Sequence, residues 1–198
     1  MTITPQDPKG AVVVVHGYGG TKEKTLGLAW SIAEKGFITG CIDLRGHGEH
    51  SFDLDCNILS DVESAISHFK NYGNVTVVGH SFGGRLALIS SADYAIGISP
   101  ALGRNFSNEV QNNIRESMDY LVHKSPNISL FNILNEDVDL LKFAPDKKLL
   151  IYGTRDLPEI IFECEDLKSK NLDVIKIDDA LHSDIFYLNQ LSKPSLTS

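Results

Sequence analysis

The sequence has few cysteines, a shortage of basic residues and no apolar segment long enough to span a membrane. Its three cysteines are an odd number without Cys-x-x-Cys spacing, which favours reduced thiols over a disulfide framework. The formal net charge of −8 argues against nucleic acid or an anionic membrane as the main partner. The first ten residues lack the basic and then apolar pattern of a signal peptide. We therefore expect a cytoplasmic protein without a membrane span.

The composition is typical of one globular domain covering residues 1–198, because 42% of the residues are hydrophobic and 22% are charged. Six short runs rich in Val, Ile and Leu predict buried strands, with helical periodicity in most of the intervals between them. The predicted strands are residues 11–16, 37–43, 75–79, 94–99, 148–152 and 173–177. This alternation predicts an α/β fold, a three-layer α/β/α sandwich around a mostly parallel six-stranded sheet.

Residues 101–147 interrupt the alternation. They hold one predicted helix with Val110, Ile114, Met118 and Leu121 on a single face, then a shorter predicted helix near residues 137–143. The segment is either a long crossover between two strands or a small helical cap over a functional site. Insertions of this length in compact domains tend to be lids, so we predict the cap. With room for two or three helices, it should leave access to the site fairly open.

The sequence Gly-x-Ser-x-Gly occupies residues 79–83, between a β-branched strand and a segment of helical composition. Such a pattern places a serine on a tight strand-to-helix turn. Gly79 and Gly83 fall where the strand and helix backbones approach closely, so that a Cβ atom would clash. The turn would hold the Ser81 hydroxyl out at the end of the sheet, where a base can reach it.

Polar and glycine-rich segments follow one predicted strand after another. They begin with residues 16–20 and 43–48, continue with Ser81 and Ser99-Pro100, and end with residues 153–156 and 179–182. In an open parallel sheet, ligands bind beyond the carboxyl ends of the strands. The sequence therefore predicts a functional site at this edge, with Ser81, Asp156 and His182 as its reactive side chains.

These motifs resemble the α/β-hydrolase fold over nearly the whole chain, from about residue 11 to 191. The chain order of serine, acid and histidine matches that family, and the Asp-Leu-Arg-Gly-His-Gly sequence at 43–48 looks like the loop of its esterase, monoacylglycerol-lipase and serine-aminopeptidase-like branch. The family sheet opens with two strands for which residues 1–10 leave no room. The resemblance therefore implies a compact version with about six strands.

Acyl-transfer chemistry gives each reactive side chain a role. Ser81 would be the nucleophile, His182 the base that takes its proton, and Asp156 the carboxylate that orients the imidazole. Three other carboxylates near His182 could supply the acid instead; these are Asp178, Asp179 and Asp184. We favour Asp156 because it follows an apolar strand directly. The resemblance assigns the oxyanion hole to the backbone N–H groups of Tyr18 and Phe82.

The predicted function is that of a serine esterase acting on a small or medium acyl substrate, with no cofactor and no metal. Apolar residues near the motifs suggest an acyl site, namely Tyr18, Phe82, Leu102, Phe106 and Met118. Two alternatives remain open. A peptidase or amidase with the same three residues would need a polar anchor, for which Glu109, Glu116 and Asp119 are the only hint. A small-molecule receptor could use the same fold without hydrolysis.

Overall fold

The computed structural model describes residues 1–103, 106–125, 127–134 and 145–185. Seven strands and six α-helices lie within these ranges. The strands are β1 (Thr2–Ile3), β2 (Ala11–Val15), β3 (Ile38–Ile42), β4 (Val75–His80), β5 (Tyr94–Ile98), β6 (Lys148–Arg155) and β7 (Asp173–Leu181). The helices are α1 (Leu26–Ala33), α2 (Leu59–Phe69), α3 (Phe82–Ile89), α4 (Asn108–Met118), α5 (Leu130–Leu134) and α6 (Pro158–Ser169). None of these helices has both the length and the apolar character needed to cross a membrane.

The strands form one sheet in the order β1-β3-β2-β4-β5-β6-β7. All neighbouring pairs are parallel except β1 and β3, which are antiparallel. The six predicted strands are confirmed as β2 to β7. The seventh, β1, was not predicted, because two residues at a sheet edge are too short to give a recognisable pattern; Thr2 pairs with Gly40.

Helices cover both faces of the sheet, and the alternation along β2 shows how. Val13 and Val15 pack into a core cluster with residues of α2 and α3, whereas Val12 and Val14 pack into another cluster with Ala29 of α1. Successive side chains of a strand point to opposite faces, so a run of valines serves both layers. The predicted three-layer α/β/α sandwich is confirmed.

The interval from residue 101 to 147 contains α4 and α5 in its described part. Ser107 caps α4, since its hydroxyl oxygen accepts a hydrogen bond from the Val110 N–H at 3.3 Å. Val110 and Ile114 pack against the core, as the predicted helical face requires, while Met118 and Leu121 stay partly exposed. Helix α5 was not predicted. The short helix predicted at 137–143 lies outside the described residues.

Candidate active site

Ser81 lies in the turn between β4 and α3, in a backbone conformation that is rare for residues with a side chain, with φ 52° and ψ −114°. The two flanking glycines make this turn sterically possible. A Cβ atom on Gly79 would lie 2.0 Å from the carbonyl oxygen of Gly83. A Cβ atom on Gly83 would lie 2.4 Å from the carbonyl oxygen of His16. The turn is therefore packed backbone against backbone, and Ser81 stands at its tip.

The structure brings together the three side chains that the sequence singles out. The imidazole of His182 lies with Nε2 3.1 Å from Ser81 Oγ and with Nδ1 2.8 Å from Asp156 Oδ1. A carboxylate oxygen only accepts hydrogen bonds, so Nδ1 carries the proton. In the neutral ring Nε2 then holds a lone pair directed at the Ser81 hydroxyl. This is the tautomer that can take a proton from Ser81.

The ends of two strands fix this arrangement. Strand β6 continues to Arg155 and β7 to Leu181, each beyond its predicted end, so Asp156 and His182 are the next residues in the chain. Of the alternative acids, Asp184 is engaged elsewhere, because its Oδ1 accepts a hydrogen bond from the Leu181 N–H at 2.6 Å. The backbone N–H of Asp179 donates to Thr154 Oγ1. Among the described carboxylates near His182, only Asp156 has a hydrogen bond to its ring.

Asp156 is held from several sides. Its side chain is fully buried, its Oδ2 accepts a hydrogen bond from Ser99 Oγ at 2.5 Å, and its Oδ1 accepts one from the Leu157 N–H at 2.7 Å. Burial alone would raise the pKa of the Asp156 carboxyl, but the hydrogen bonds from His182, Ser99 and Leu157 outweigh it and hold the pKa below its usual value. The acid therefore stays ionised. Sequence reasoning located Ser99 at a strand end but missed this contact.

The glycine-rich loop after β2 passes close to Ser81. A Cβ atom on Gly17 would lie 3.2 Å from Ser81 Cβ. His16 braces the loop, because its Nδ1 donates to the Gly17 carbonyl oxygen at 2.8 Å and its Nε2 accepts from the Leu44 N–H at 3.1 Å. Burial lowers the pKa of His16 to about 4, so the ring is neutral near pH 7 and can accept at Nε2.

Both residues expected at the oxyanion hole border the same space. Phe82 is the first residue of α3, where backbone N–H groups have no partner within the helix. The Tyr18 ring meets the Phe82 ring edge to face, with centroids 6.4 Å apart. The Tyr18 hydroxyl donates to Asp119 Oδ1 at 2.7 Å, which ties the loop to the 3-10 turn after α4. Asp119 is in turn paired with Lys124.

A cavity of about 330 Å³ opens beside Ser81, within the usual size range of small-molecule sites. Its walls are mainly apolar and include residues of α4, α5 and the start of α6; the apolar lining side chains are Tyr18, Phe82, Ala101, Phe106, Ile114, Met118, Leu130, Leu134, Leu157 and Ile160. Of the residues expected to form an acyl site, Leu102 alone is outside this lining, since it packs into the core beside Leu88 and Ile160. No described lining residue is an Asp or Glu.

One group of three carboxylates in the described residues has the spacing of a metal site: Glu23, Asp43 and Glu49. The Lys22 ammonium lies among them, 2.6 Å from an oxygen of Asp43 and 2.6 Å from an oxygen of Glu49. A cationic side chain therefore already neutralises this group. None of the three carboxylates lines the cavity beside Ser81.

Comparisons with known proteins give one family and one fold. The model of the family described as serine aminopeptidase, S33, matches residues 6–141. A search of the curated proteins finds no significant match. Among solved structures, an α/β hydrolase from Penicillium sp. sh18 covers 96% of this chain and 88% of its own at 14% identity, with a TM-score of 0.70.

Two further structures have names that state an activity. A monoacylglycerol lipase of Paleococcus ferrophilus is 20% identical over 92% of this chain and 90% of its own, with a TM-score of 0.63. A structure from a study of carboxylesterases of the thaumarchaeon Nitrososphaera gargenis is 14% identical over 94% of this chain and 88% of its own, with a TM-score of 0.67. At these identities, the likeness shows a shared fold.

Proposed function

Because this chain belongs to the serine aminopeptidase (S33) family and has the α/β-hydrolase fold, we propose that it is a serine hydrolase of small or medium carboxylic esters. One observation carries the proposal. A continuous hydrogen-bonded chain runs from Ser81 through His182 to Asp156, and it borders a cavity with mainly apolar walls. A serine hydroxyl is a poor nucleophile near pH 7 without an adjacent base, and this arrangement supplies one.

In the proposed reaction, Ser81 Oγ attacks the carbonyl carbon of the ester while its proton passes to His182 Nε2. The buried Asp156 carboxylate stabilises the imidazolium that results, because its lowered pKa keeps it charged. The backbone N–H groups of Tyr18 and Phe82 donate to the oxyanion of the tetrahedral intermediate; losing one such donor typically costs about 10²–10³ in turnover.

Collapse of the intermediate breaks the bond to the leaving alcohol, which takes the proton from His182, and leaves an acyl-enzyme on Ser81. Water then attacks the acyl carbon while His182 again accepts a proton, and the acid product leaves as Ser81 recovers its own. Every proton in this cycle moves through one imidazole nitrogen. The chemistry requires no cofactor.

The cavity favours an ester over a peptide with a free amino terminus. An aminopeptidase has to bind a charged ammonium group, and such a group is costly to bury without a carboxylate partner. The described lining contains no carboxylate. The acidic residues that hinted at an anchor do not line the cavity: Glu109 and Glu116 lie on the exposed side of α4, and Asp119 binds Tyr18 and Lys124.

We further propose that residues 101–147 act as a small cap that selects the substrate. The described part of this segment supplies one wall of the cavity through Phe106, Ile114, Met118, Leu130 and Leu134. These side chains are apolar, so they would bind the hydrocarbon part of an acyl or alcohol group. Changing the size of one of them should then shift the preferred chain length while leaving the reaction itself intact.

A fluorophosphonate probe combined with an ester panel tests the proposed function. Wild-type protein should be labelled at Ser81 and should hydrolyse p-nitrophenyl esters with an optimum in acyl-chain length. Ser81→Ala should lose both properties, while Ser67→Ala, a change on the exposed face of α2, should keep both. Wild-type protein that binds esters without labelling or turnover would contradict the proposal and favour a receptor. Faster cleavage of aminoacyl amides than of esters would favour a peptidase.

A further inference from the structure

His80 is the last residue of β4 and the neighbour of Ser81 in the chain. Its side chain is largely enclosed by the protein and lies beside the imidazole of His182, with ring centroids 4.9 Å apart. The His80 Nε2 atom is 2.8 Å from the backbone carbonyl oxygen of His182. Two residues more than a hundred positions apart in the chain are thus joined by a hydrogen bond that does not involve the Ser81 hydroxyl, although His80 also borders the cavity beside it.

The direction of this hydrogen bond follows from its partners. A carbonyl oxygen only accepts, so Nε2 of His80 carries the proton and donates it. Burial, with the neighbouring His182 acting in the same direction, lowers the pKa of His80 to about 4. The ring is therefore neutral when His182 becomes an imidazolium during the proposed reaction. It can hold the carbonyl without placing a second positive charge beside that cation.

The position of the His182 backbone matters because the residue follows directly after β7, in a turn. Its ring is aligned by Asp156 at one nitrogen and faces Ser81 at the other. Those two contacts orient the ring, but the distance between Nε2 and Ser81 Oγ also depends on where the backbone carries it. His80 connects that backbone to the end of the strand that carries Ser81.

We propose that His80 is a positioning residue, which fixes the backbone of His182 relative to Ser81 and so sets the geometry of proton transfer. The inference rests on the proposed function, since it assigns His182 as the base. Misplacement of a catalytic group by about 1 Å can cost on the order of 10²-fold in rate. Loss of the contact should therefore appear mainly in kcat, whereas KM depends mainly on the apolar walls of the cavity, which substitution of His80 leaves in place.

Three substitutions separate the hydrogen bond from the volume of the side chain. His80→Gln keeps an N–H donor at a similar reach, His80→Met keeps a long side chain without a donor, and His80→Asn has a donor that is too short to reach the carbonyl. We expect kcat of the Met and Asn variants on p-nitrophenyl butyrate to fall about 10–100-fold with KM within about threefold. The Gln variant should keep kcat within about fivefold of wild type.

Unfolding curves and the low-field ¹H resonance of the His182 Nδ1–H proton should accompany the kinetics. The Gln variant should keep that resonance, and the Met variant should lose or broaden it. A folded Met or Asn variant with wild-type kcat would overturn the inference, as would a Gln variant as slow as the other two. If Met and Asn both fail to fold, a slow Gln variant that retains the wild-type resonance would still overturn it, and a fast one would support it. Inactive wild-type protein, or active Ser81→Ala, would instead refute the proposed function.

Discussion

Two neutral histidines, the buried His16 and the partly buried His80, should make the protein sensitive to acid above the range in which carboxylates titrate. Burial lowers the pKa of both His16 and His80 from 6.5 to about 4. Between these values the unfolded chain binds protons that the folded chain does not, so stability falls as the pH falls. The lowered pKa of His47 acts in the same direction. Asp156, whose pKa is also lowered, contributes to the stability of the fold, and this contribution is lost only as the pH drops below about 4.

The expected size follows from the two pKa values. At pH 5 a group with a pKa of about 4 when folded and 6.5 when unfolded disfavours the folded state by about 2 kcal/mol relative to pH 7.5. His16 and His80 together then lower the free energy of unfolding by about 4 kcal/mol. Since domains of this size are stable by roughly 5–15 kcal/mol, this is a large fraction of the total.

Urea unfolding at pH 7.5, 6.5, 5.5 and 5.0 measures this effect. His80→Gln removes one of the titrating groups, so its loss of stability over that range should be smaller than that of wild type by about 2 kcal/mol. His68→Gln, on the exposed side of α2, is the matched control and should follow wild type. The reasoning is wrong if the free energy of unfolding of the wild-type protein changes by less than about 1 kcal/mol between pH 7.5 and 5.0. An unchanged pH dependence in His80→Gln would also contradict it.

Substitutions at three further positions test the geometry of the site. Ser99→Ala removes the hydroxyl that binds the Asp156 carboxylate and should cost about 1.5–3 kcal/mol in urea unfolding. Ser99→Gly should lose about 1 kcal/mol less stability than Ser99→Ala, because glycine adopts the φ of 46° at this position more readily than alanine does. Equal losses in the two variants would contradict this. Tyr18→Phe removes the hydrogen bond between the glycine-rich loop after β2 and the turn after α4, which loosens one of the proposed oxyanion donors. We expect kcat on p-nitrophenyl butyrate to fall about fivefold, and an unchanged kcat in steady-state kinetics would argue against the link. The Cβ atom of Gly83→Ala would lie 2.4 Å from a backbone carbonyl oxygen, so this variant should lose about 3 kcal/mol of stability or fail to fold. The control Gly27→Ala, at an open surface position, should melt at the wild-type temperature or above it.

The sheet could be predicted from the sequence because its strands are continuous apolar runs. The β-branched valines at positions 12–15 favour a strand buried on both faces, and the structure places them in the interior of the sheet, between β3 and β4. Strand β1 could not be predicted, since it holds two residues and depends on pairing with β3. Helix α5 was missed for a related reason. Five residues do not complete two helical turns, and its formation depends on packing against the core.

The edge at which the candidate site lies could also be predicted, because Ser81, Asp156 and His182 each follow a predicted strand. What could not be predicted is which atoms meet. The Ser-Pro pair after β5 places Ser99 at the end of that strand. The hydrogen bond from Ser99 to the second carboxylate oxygen of Asp156, however, depends on a φ of 46° at Ser99. The contact of His80 with the His182 backbone likewise depends on the exact end of β7. Such contacts arise from tertiary geometry, on which local patterns carry no information.

The backbone strain at Ser81 implies a conflict between stability and activity at one position. Its φ of 52° and ψ of −114° are favourable only for glycine, and holding a serine there costs roughly 1–3 kcal/mol. A random search for more stable variants should therefore recover Ser81→Gly, a protein that folds better and has lost its proposed nucleophile. Selection for thermostability alone would then remove the proposed activity. Any programme of stabilisation has to hold position 81 fixed and look for gains elsewhere.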